Sequence, residues 1–275
     1  GYDWDEDTLA ATIHFLDSLT VDRVQIEFQG GEPLLRLDLL NAVRDFCRGR
    51  FKQSRFVVCS NFQLVDDAIW AFFDSEDTQL STSIDGDFST HTRQRTGSET
   101  ATTAFLGNIE AFVGRFGVGR VSALPTIDPS RPPDLDDLVS TYGRFGISSI
   151  YLRPINRQGF ARRRPEAEGE LQTWNALHAD FIDRLVDLNF GKDEVVEEYY
   201  FSHLLRRILG RGANGHVDIR NPNPVGTNYV VVDYDGILYP TDEARMMSRV
   251  GQIDLSIGNV RDGLDYSKAD QLNAA

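Results

Sequence analysis

Between residues 22 and 28 apolar and polar side chains alternate strictly, Val24, Ile26 and Phe28 against Gln25 and Glu27, so a strand is expected there. Ahead of it, Leu9, Ile13 and Leu16 recur at helical spacing behind Asp7 or Thr8 as a cap, which predicts a helix over 8–19. The two periods then take turns: helix 37–48, strand 55–60, helix 66–74, strand 79–85, helix 101–115, strand 119–126, helix 134–145 and strand 148–153. Strands alternating with helices imply parallel pairing through right-handed crossovers. Beyond residue 155 the pattern turns helical over 166–188 and 193–209, and after a Gly/Asn/Pro-rich connection YVVVDYDGILYP reads as a hairpin turning at Asp235-Gly236.

A parallel strand covered on both faces is apolar throughout. These strands are not. Gln25 and Glu27 share one face of the first; Ser81, Ser83 and Asp85 oppose Thr82 and Ile84; Ser149, Tyr151 and Arg153 oppose Ile150 and Leu152. Because an unpaired buried polar group costs about 1–3 kcal/mol, a repeated polar face calls for a wet cavity with a polar ligand. The expected fold class is therefore α/β, a curved and partly open barrel with helices outside and a polar interior.

The chain has 275 residues, 41% hydrophobic and 25% charged, within the range of one large α/β domain with an appendage. A net charge of -14 argues against nucleic acid as a partner; the basic run Arg157–Arg164 reads as a solvated loop. No transmembrane stretch is expected. Two cysteines, Cys47 in a helix and Cys59 in a strand facing apolar neighbours, read as buried structural thiols in a cytosolic chain. The chain starts at Gly1 rather than methionine, and a fragment is expected. His14, His178, His203 and His216 have no partner at metal-ligand spacing.

The candidate chemistry lies at the carboxyl ends of the strands, where βα barrels keep their active groups. Gly30-Gly31-Glu32-Pro33 offers bare backbone and a carboxylate for an amine; read alone, it is equally a turn. Ser60-Asn61 ends the second strand, Ser83-Ile84-Asp85-Gly86 the third, and the loop after it carries His91 and Arg95. Together they suit an amino acid joined to a ribose.

FQGGEP, SNFQLVDD, SIDGDFSTHTRQR and YLRPINRQG, in this order and spacing, resemble the radical S-adenosylmethionine (AdoMet) enzymes. Within these, the pairing with YPTDEARMM is similar to the peptide-modifying maturases with a SPASM or Twitch-like extension, and most of all to that of the His-Xaa-Ser system. The resemblance implies a (βα)6 TIM-like partial barrel over 1–160, here lacking its first strand, and a helical and β-hairpin extension over 161–275. It implies reductive cleavage of AdoMet by a [4Fe–4S] cluster to a 5′-deoxyadenosyl radical that modifies a peptide, with a flavodoxin or ferredoxin as electron donor.

Residue by residue, the resemblance implies that Gly30, Gly31, Glu32 and Pro33 hold the methionyl amine, and that Ser60 and Asn61 lie near the nucleoside. It implies Ser83 and Asp85 near the ribose or carboxylate, and Arg95 near the methionyl carboxylate. Thr92 stands where the family's H-D-x-x-R pattern has aspartate. The CxxxCxxC loop that would hold the cluster is missing, so the cluster is expected only in a full-length form and this polypeptide is expected to be inactive. After Tyr239-Pro240 the chain has Thr241 where SPASM modules carry cysteine, so no auxiliary cluster is expected; Asp242, Glu243 and Arg245 are weak candidates for contact with the peptide. Two other readings stay open: a non-catalytic scaffold of the same fold, and an unrelated barrel lyase using Glu32, Asp85 and Arg153.

Overall fold

The computed structural model of the chain describes residues 3–155, 168–210 and 225–274. Their elements run α1 (Glu6–Ser18), β1 (Arg23–Phe28), a 3-10 turn (Pro33–Arg36), α2 (Leu37–Arg50), β2 (Gln53–Cys59), α3 (Asp67–Phe73) and β3 (Thr78–Thr82). Next come α4 (Phe88–His91), a π turn (Thr92–Thr96), α5 (Glu99–Phe116), β4 (Val121–Ala123), β5 (Thr126–Ile127), α6 (Leu135–Arg144), β6 (Ser149–Ile150) and β7 (Arg153–Pro154). The remainder is α7 (Glu170–Asn189), β8 (Glu197–Glu198), α8 (Tyr199–Leu209), β9 (Val231–Val232), β10 (Leu238–Tyr239), α9 (Asp242–Arg249), β11 (Gly258–Asn259), β12 (Gly263–Leu264) and α10 (Tyr266–Ala274). The run Arg157–Arg164, residues 156–159 of YLRPINRQG, and His216 lie outside the described residues.

The described residues gather into two compact units, one from Gly1–Val24, Asn41–Gln53 and Gly212–Ala275, the other from Gln25–Leu40 and Ser54–Arg211. The second holds most of the four-stranded sheet, in the order β1-β2-β3-β4. β2 pairs parallel with β3, Phe56 opposite Thr78 through Cys59 opposite Ser81, and β3 with β4, Leu80 opposite Val121 through Thr82 opposite Ala123. Two shorter parallel pairs follow, β5 with β7 and β6 with β8. Neighbours in sequence are neighbours in the main sheet, as expected when each helix returns the chain to the next strand.

The segments expected as continuous strands at 119–126 and 148–153 each break in two. Leu124 still bonds Thr82 O at 3.0 Å, but Pro125 has no N–H to continue the ladder. β8 was expected inside a helix; Glu197-Glu198 has poor strand propensity, and its pairing with Ser149-Ile150 decides the outcome. The segment carrying His91 and Arg95, expected as a loop, is helical, capped by Asp87 accepting the Thr90 N–H at 2.9 Å.

Alternation along β2 buries Phe56 and Val58 against the helices. Cys59 has the opposite parity. It is half-buried on the polar side with its thiol 3.2 Å from Glu27 Oε1, which corrects the expectation of a buried cysteine among apolar neighbours. Cys47 is fully buried, and burial pushes its thiol up to about 11. Gln25, Glu27, Gln79 and Ser122 on the polar side are exposed.

On the apolar side, Ile69, Phe72 and Phe73 of α3 and Phe105, Ile109 and Phe112 of α5 fall at helical spacing and bury together. Phe62, fully buried, fixes the loop between β2 and α3. Its φ of 48° is left-handed, a conformation that costs a non-glycine residue about 1–2 kcal/mol. Its ring meets Trp70, Phe73 and Phe112 edge-on at 5.7, 5.7 and 5.6 Å. Three such pairs, each contributing roughly 0.5–1.5 kcal/mol beyond burial, outweigh the backbone strain.

The first unit packs Phe15 of α1 with Leu238, Ile257 and Val260. The hairpin turns at Asp235-Gly236 as its sequence predicts, Leu238 opposite Val232 and Tyr239 opposite Val231. Gly236 has φ 83°, and a Cβ there would lie 2.8 Å from Val260 Cγ2, so no other residue fits. α9 is tied to the turn by charge: Arg249 meets the buried Asp233 at 2.6 Å and Asp235 at 2.7 Å, and lies 4.5 Å from the Tyr234 ring centroid. Burial opposes the charge on Asp235, yet its bond to Arg249 leaves that carboxyl below its ordinary range. Trp4 Nε1 donates to Asp233 O at 3.0 Å. Among the described residues no helix is long and apolar enough to cross a membrane.

Two measurements check this account. Phe62→Ala is expected to lower unfolding free energy in urea by about 3–5 kcal/mol, the usual cost of emptying a buried aromatic site. Arg249→Met is expected to cost about 1.5–3 kcal/mol by removing the nearer of the two arginines that face the Asp233 carboxylate, and adding Asp233→Asn should restore part of it; equal stability of the single and double variants would contradict that reading.

Candidate functional site

The N-terminal turn of the site follows β1. Gly30 has φ 136°, and a Cβ on Gly30 or Gly31 would meet nothing within 4 Å, so the backbone there borders open space. Glu32 then caps the 3-10 turn, accepting the Leu34 N–H on Oε1 at 3.2 Å, with the buried Pro33 setting the first turn position. The same carboxylate crosses to the end of β2. Ser60 Oγ donates to Oε1 at 2.8 Å and the Asn61 N–H to Oε2 at 2.8 Å. A carboxylate has about four acceptor positions. Three are filled from within, and one is left.

Ser60 is spoken for on its other side, where its Oγ accepts the Phe62 N–H at 2.9 Å, so its hydroxyl acts through Glu32. Asn61 is exposed; its Oδ1 accepts the Gln63 N–H at 3.0 Å, which turns the amide nitrogen outward. Asn108 holds the Phe62 and Gln63 carbonyls at 3.0 and 3.2 Å, and Thr82 Oγ1 holds the Ser60 carbonyl at 2.8 Å. The strand-end loop is thereby fixed on every side.

After β3 comes Ser83, half-buried, then Asp85, buried to 2% exposure. Asp85 takes Arg95 through Nε at 2.7 Å and Nη2 at 3.2 Å, and also accepts the Thr126 N–H at 2.9 Å. Arg95 keeps Nη1 and the remaining guanidinium donors for another partner. Gly86, at φ 147°, has Thr90 and Pro133 so close that a Cβ would meet them at 3.0 and 3.2 Å.

Behind the pair, His91 lies flat on Phe105, centroids 4.7 Å apart, and Nδ1 accepts the Asp85 N–H at 3.3 Å. That bond requires the neutral ring protonated on Nε2. Burial drives its pKa down to about 4, against the pull of Asp85. Thr92 Oγ1 donates to Thr102 Oγ1 at 2.8 Å. Tyr142, fully buried, donates to Ile84 O at 3.1 Å and supports the same loop from below.

A third carboxylate, Glu198, passed unnoticed in the sequence because it sits where a helix was expected. Its side chain is fully buried; it accepts the Leu152 N–H at 3.2 Å and the Phe201 N–H at 2.5 Å, with His178 Nε2 3.6 Å away. Only the strand pairing reveals it.

Asp242, Glu243 and Arg245 lie in the other unit, at the start of α9. Arg245 bonds Asp242 at 2.8 Å and lies 3.7 Å from Asp233, while Glu243 is exposed. Among the described residues no group of three or more His, Cys, Asp or Glu is arranged to hold a metal ion.

The His91 environment has a pH signature. Its folded pKa lies below the unfolded value of about 6.5, so its contribution is present above pH 6.5 and lost as pH falls toward 4. Unfolding free energy should drop over this window by up to about 3 kcal/mol more in the parent than in His91→Phe. Parallel stability-versus-pH curves for the two would contradict the assignment.

No known protein family matches the chain by sequence, and no curated protein matches it. Solved structures do. Native anSMEcpe with bound AdoMet matches 97% of this chain and 71% of its own length, with a TM-score of 0.75 at 17% identity. The same protein with bound AdoMet and Kp18Cys peptide gives 0.74 at 17% identity, over 97% and 72% of the two chains. Streptococcus suis SuiB bound to S-adenosylmethionine gives 0.52 at 14% identity, over 85% and 53%. At such low identity the likeness is one of architecture: this chain has the fold of anSMEcpe.

Proposed function

We propose that this chain is the AdoMet-binding, peptide-directed part of a radical AdoMet maturase, a partial barrel whose strand ends form the cofactor site. The observation that carries the reading is Glu32, pinned between two strand ends beside bare glycine backbone, with one acceptor left for an amine, in a fold shared with AdoMet-bound anSMEcpe. Gly30, Gly31 and Pro33 form the approach, and Arg95, oriented by Asp85, meets the methionyl carboxylate with its uncommitted edge. Asn61 and Ser83 offer polar groups to the nucleoside; Ser60 positions Glu32. AdoMet supplies the adenosyl group of the chemistry. Peptide as substrate class is supported by the Kp18Cys peptide bound to anSMEcpe.

The residues present do not fit a [4Fe–4S] cluster, which takes thiolates clustered on one loop. The sequence holds two cysteines; Cys47 is fully buried in α2 with its thiol at about 11, and Cys59 lies in β2 beside Glu27. No reductive step therefore runs through these residues, and an electron donor has no acceptor among them. The second reading is a non-catalytic scaffold or binding protein of the same fold.

Calorimetry on this polypeptide tests the proposal. AdoMet is expected to bind, with Glu32→Gln and Arg95→Gln each weakening it at least tenfold, about 1.4 kcal/mol, and Asp242→Asn leaving it unchanged. With dithionite, the polypeptide is expected to yield no 5′-deoxyadenosine. Absence of AdoMet binding by a folded chain would refute the cofactor assignment, and deoxyadenosine formation would refute the scaffold reading.

A further inference from the structure

Tyr151 and Arg153 project from the polar side of the strand ends, alternating with the buried Ile150 and Leu152. The Tyr151 ring stacks on Tyr200, 6.0 Å between centroids and 4° from parallel, and stands 5.4 Å from Tyr199. Both partners open α8 directly after β8. The Arg153 guanidinium lies 5.5 Å from the Tyr151 centroid. In register, Arg153 faces Thr126, whose N–H is held by Asp85, so this arginine stands one strand along from the Asp85–Arg95 pair.

The two arginines differ in their partners. Arg95 is bound by a buried carboxylate, whereas Arg153 is exposed and, among the described residues, rests on tyrosine rather than on an acid. With 42 acidic residues against 28 basic ones, acids are in excess, yet the two that open the neighbouring β8–α8 segment are committed elsewhere. Glu197 bonds Arg206 at 3.0 Å and Ser149 at 3.2 Å, and Glu198 is held by backbone N–H groups. A guanidinium within cation–π reach of an aromatic ring still has its N–H donors to offer, and a guanidinium can take a carboxylate bidentately.

We propose that Arg153, oriented by Tyr151, is a specificity-determining anion subsite that takes an acidic side chain of the peptide substrate, with the half-buried Tyr200 ring contacting an apolar neighbour of that acid. This rests on the peptide-directed reading above and adds to it the charge of the peptide. Bulk electrostatics predicts the reverse preference, since a chain of net charge -14 attracts cationic peptides and repels anionic ones.

The opposition makes a decisive test. Gly-Phe-Glu-Phe-Gly, capped at both ends and carrying a neutral dye, is titrated by anisotropy against the full polypeptide beside its Gln and Lys counterparts. The Glu peptide is expected to bind at least tenfold more tightly than either; Arg153→Gln should bring the three within twofold, Arg153→Lys should keep part of the preference, and Tyr151→Leu should reduce it. No binding, equal binding, a Lys preference, or a Glu preference that survives Arg153→Gln would overturn the subsite. AdoMet affinity is measured on the same samples and is expected to be unchanged by Arg153→Gln. Loss of AdoMet binding with the Glu preference intact would refute the cofactor assignment and leave the subsite standing.

Discussion

A parallel strand that stops leaves N–H groups beyond its last ladder bond, and in this chain carboxylates satisfy them across neighbouring strand ends. Glu32, after β1, accepts from Asn61 after β2; Asp85, after β3, accepts from Thr126 in β5; Glu198, closing β8, accepts from Leu152 after β6. Each is an acid at the end of one strand bonded to the backbone of another. An unsatisfied buried N–H costs about 1–3 kcal/mol, and a bond to a charged acceptor is about twice as strong as a neutral one. The mouth of the sheet is therefore stiff before any ligand arrives, which is what a site needs if binding is not to spend its energy on ordering loops.

The staples hold only because what lies beneath them is rigid. Glu32 reaches Asn61 because Phe62 is locked in a left-handed turn by three aromatic edges, and Asp85 faces Thr126 because His91 and Tyr142 brace the loop on either side of Ile84. Polar groups of the strand-end loops thus sit directly beside deeply buried apolar ones, in Ser60-Asn61-Phe62 and in Ser83-Ile84-Asp85. In the other unit the same logic uses ions: the hairpin is closed onto α9 by Arg249 and Asp233, in the segment where the resemblance implies cluster cysteines in other chains.

Alternation and helical spacing made the α/β order readable, with boundaries within a few residues, because each such pattern records burial that the fold then realises. The rim residues Glu32, Ser60, Asn61 and Asp85 were legible for a different reason: they break the strand pattern just where strands end. Parallel pairing of the main strands was legible, but the strand β8 was not. Glu197-Glu198 has no local signal for a strand, and becomes one through its register with Ser149-Ile150. The parity of Cys59 was misjudged for the opposite reason: its neighbour Val57 is apolar too, so sequence alone did not separate the two faces of β2. The helical turn bearing His91 and Arg95 hid because its few residues hold too little periodicity to register.

Counting acceptors sharpens what the rim can do. With three of four positions on Glu32 filled internally, under the proposed reading it takes one N–H of the amine and leaves the other two to backbone carbonyls, with Gly30 and Gly31 offering unobstructed backbone beside it. Asp85 is similarly filled, so under the proposed reading its part is to aim Arg95 rather than to touch a ribose. Under the same reading a zwitterionic amino acid group would be met by one acid and one base that belong to different staples. Neither staple involves a thiol, so under the proposed reading the groups that would grip AdoMet are separate from any that would reduce it.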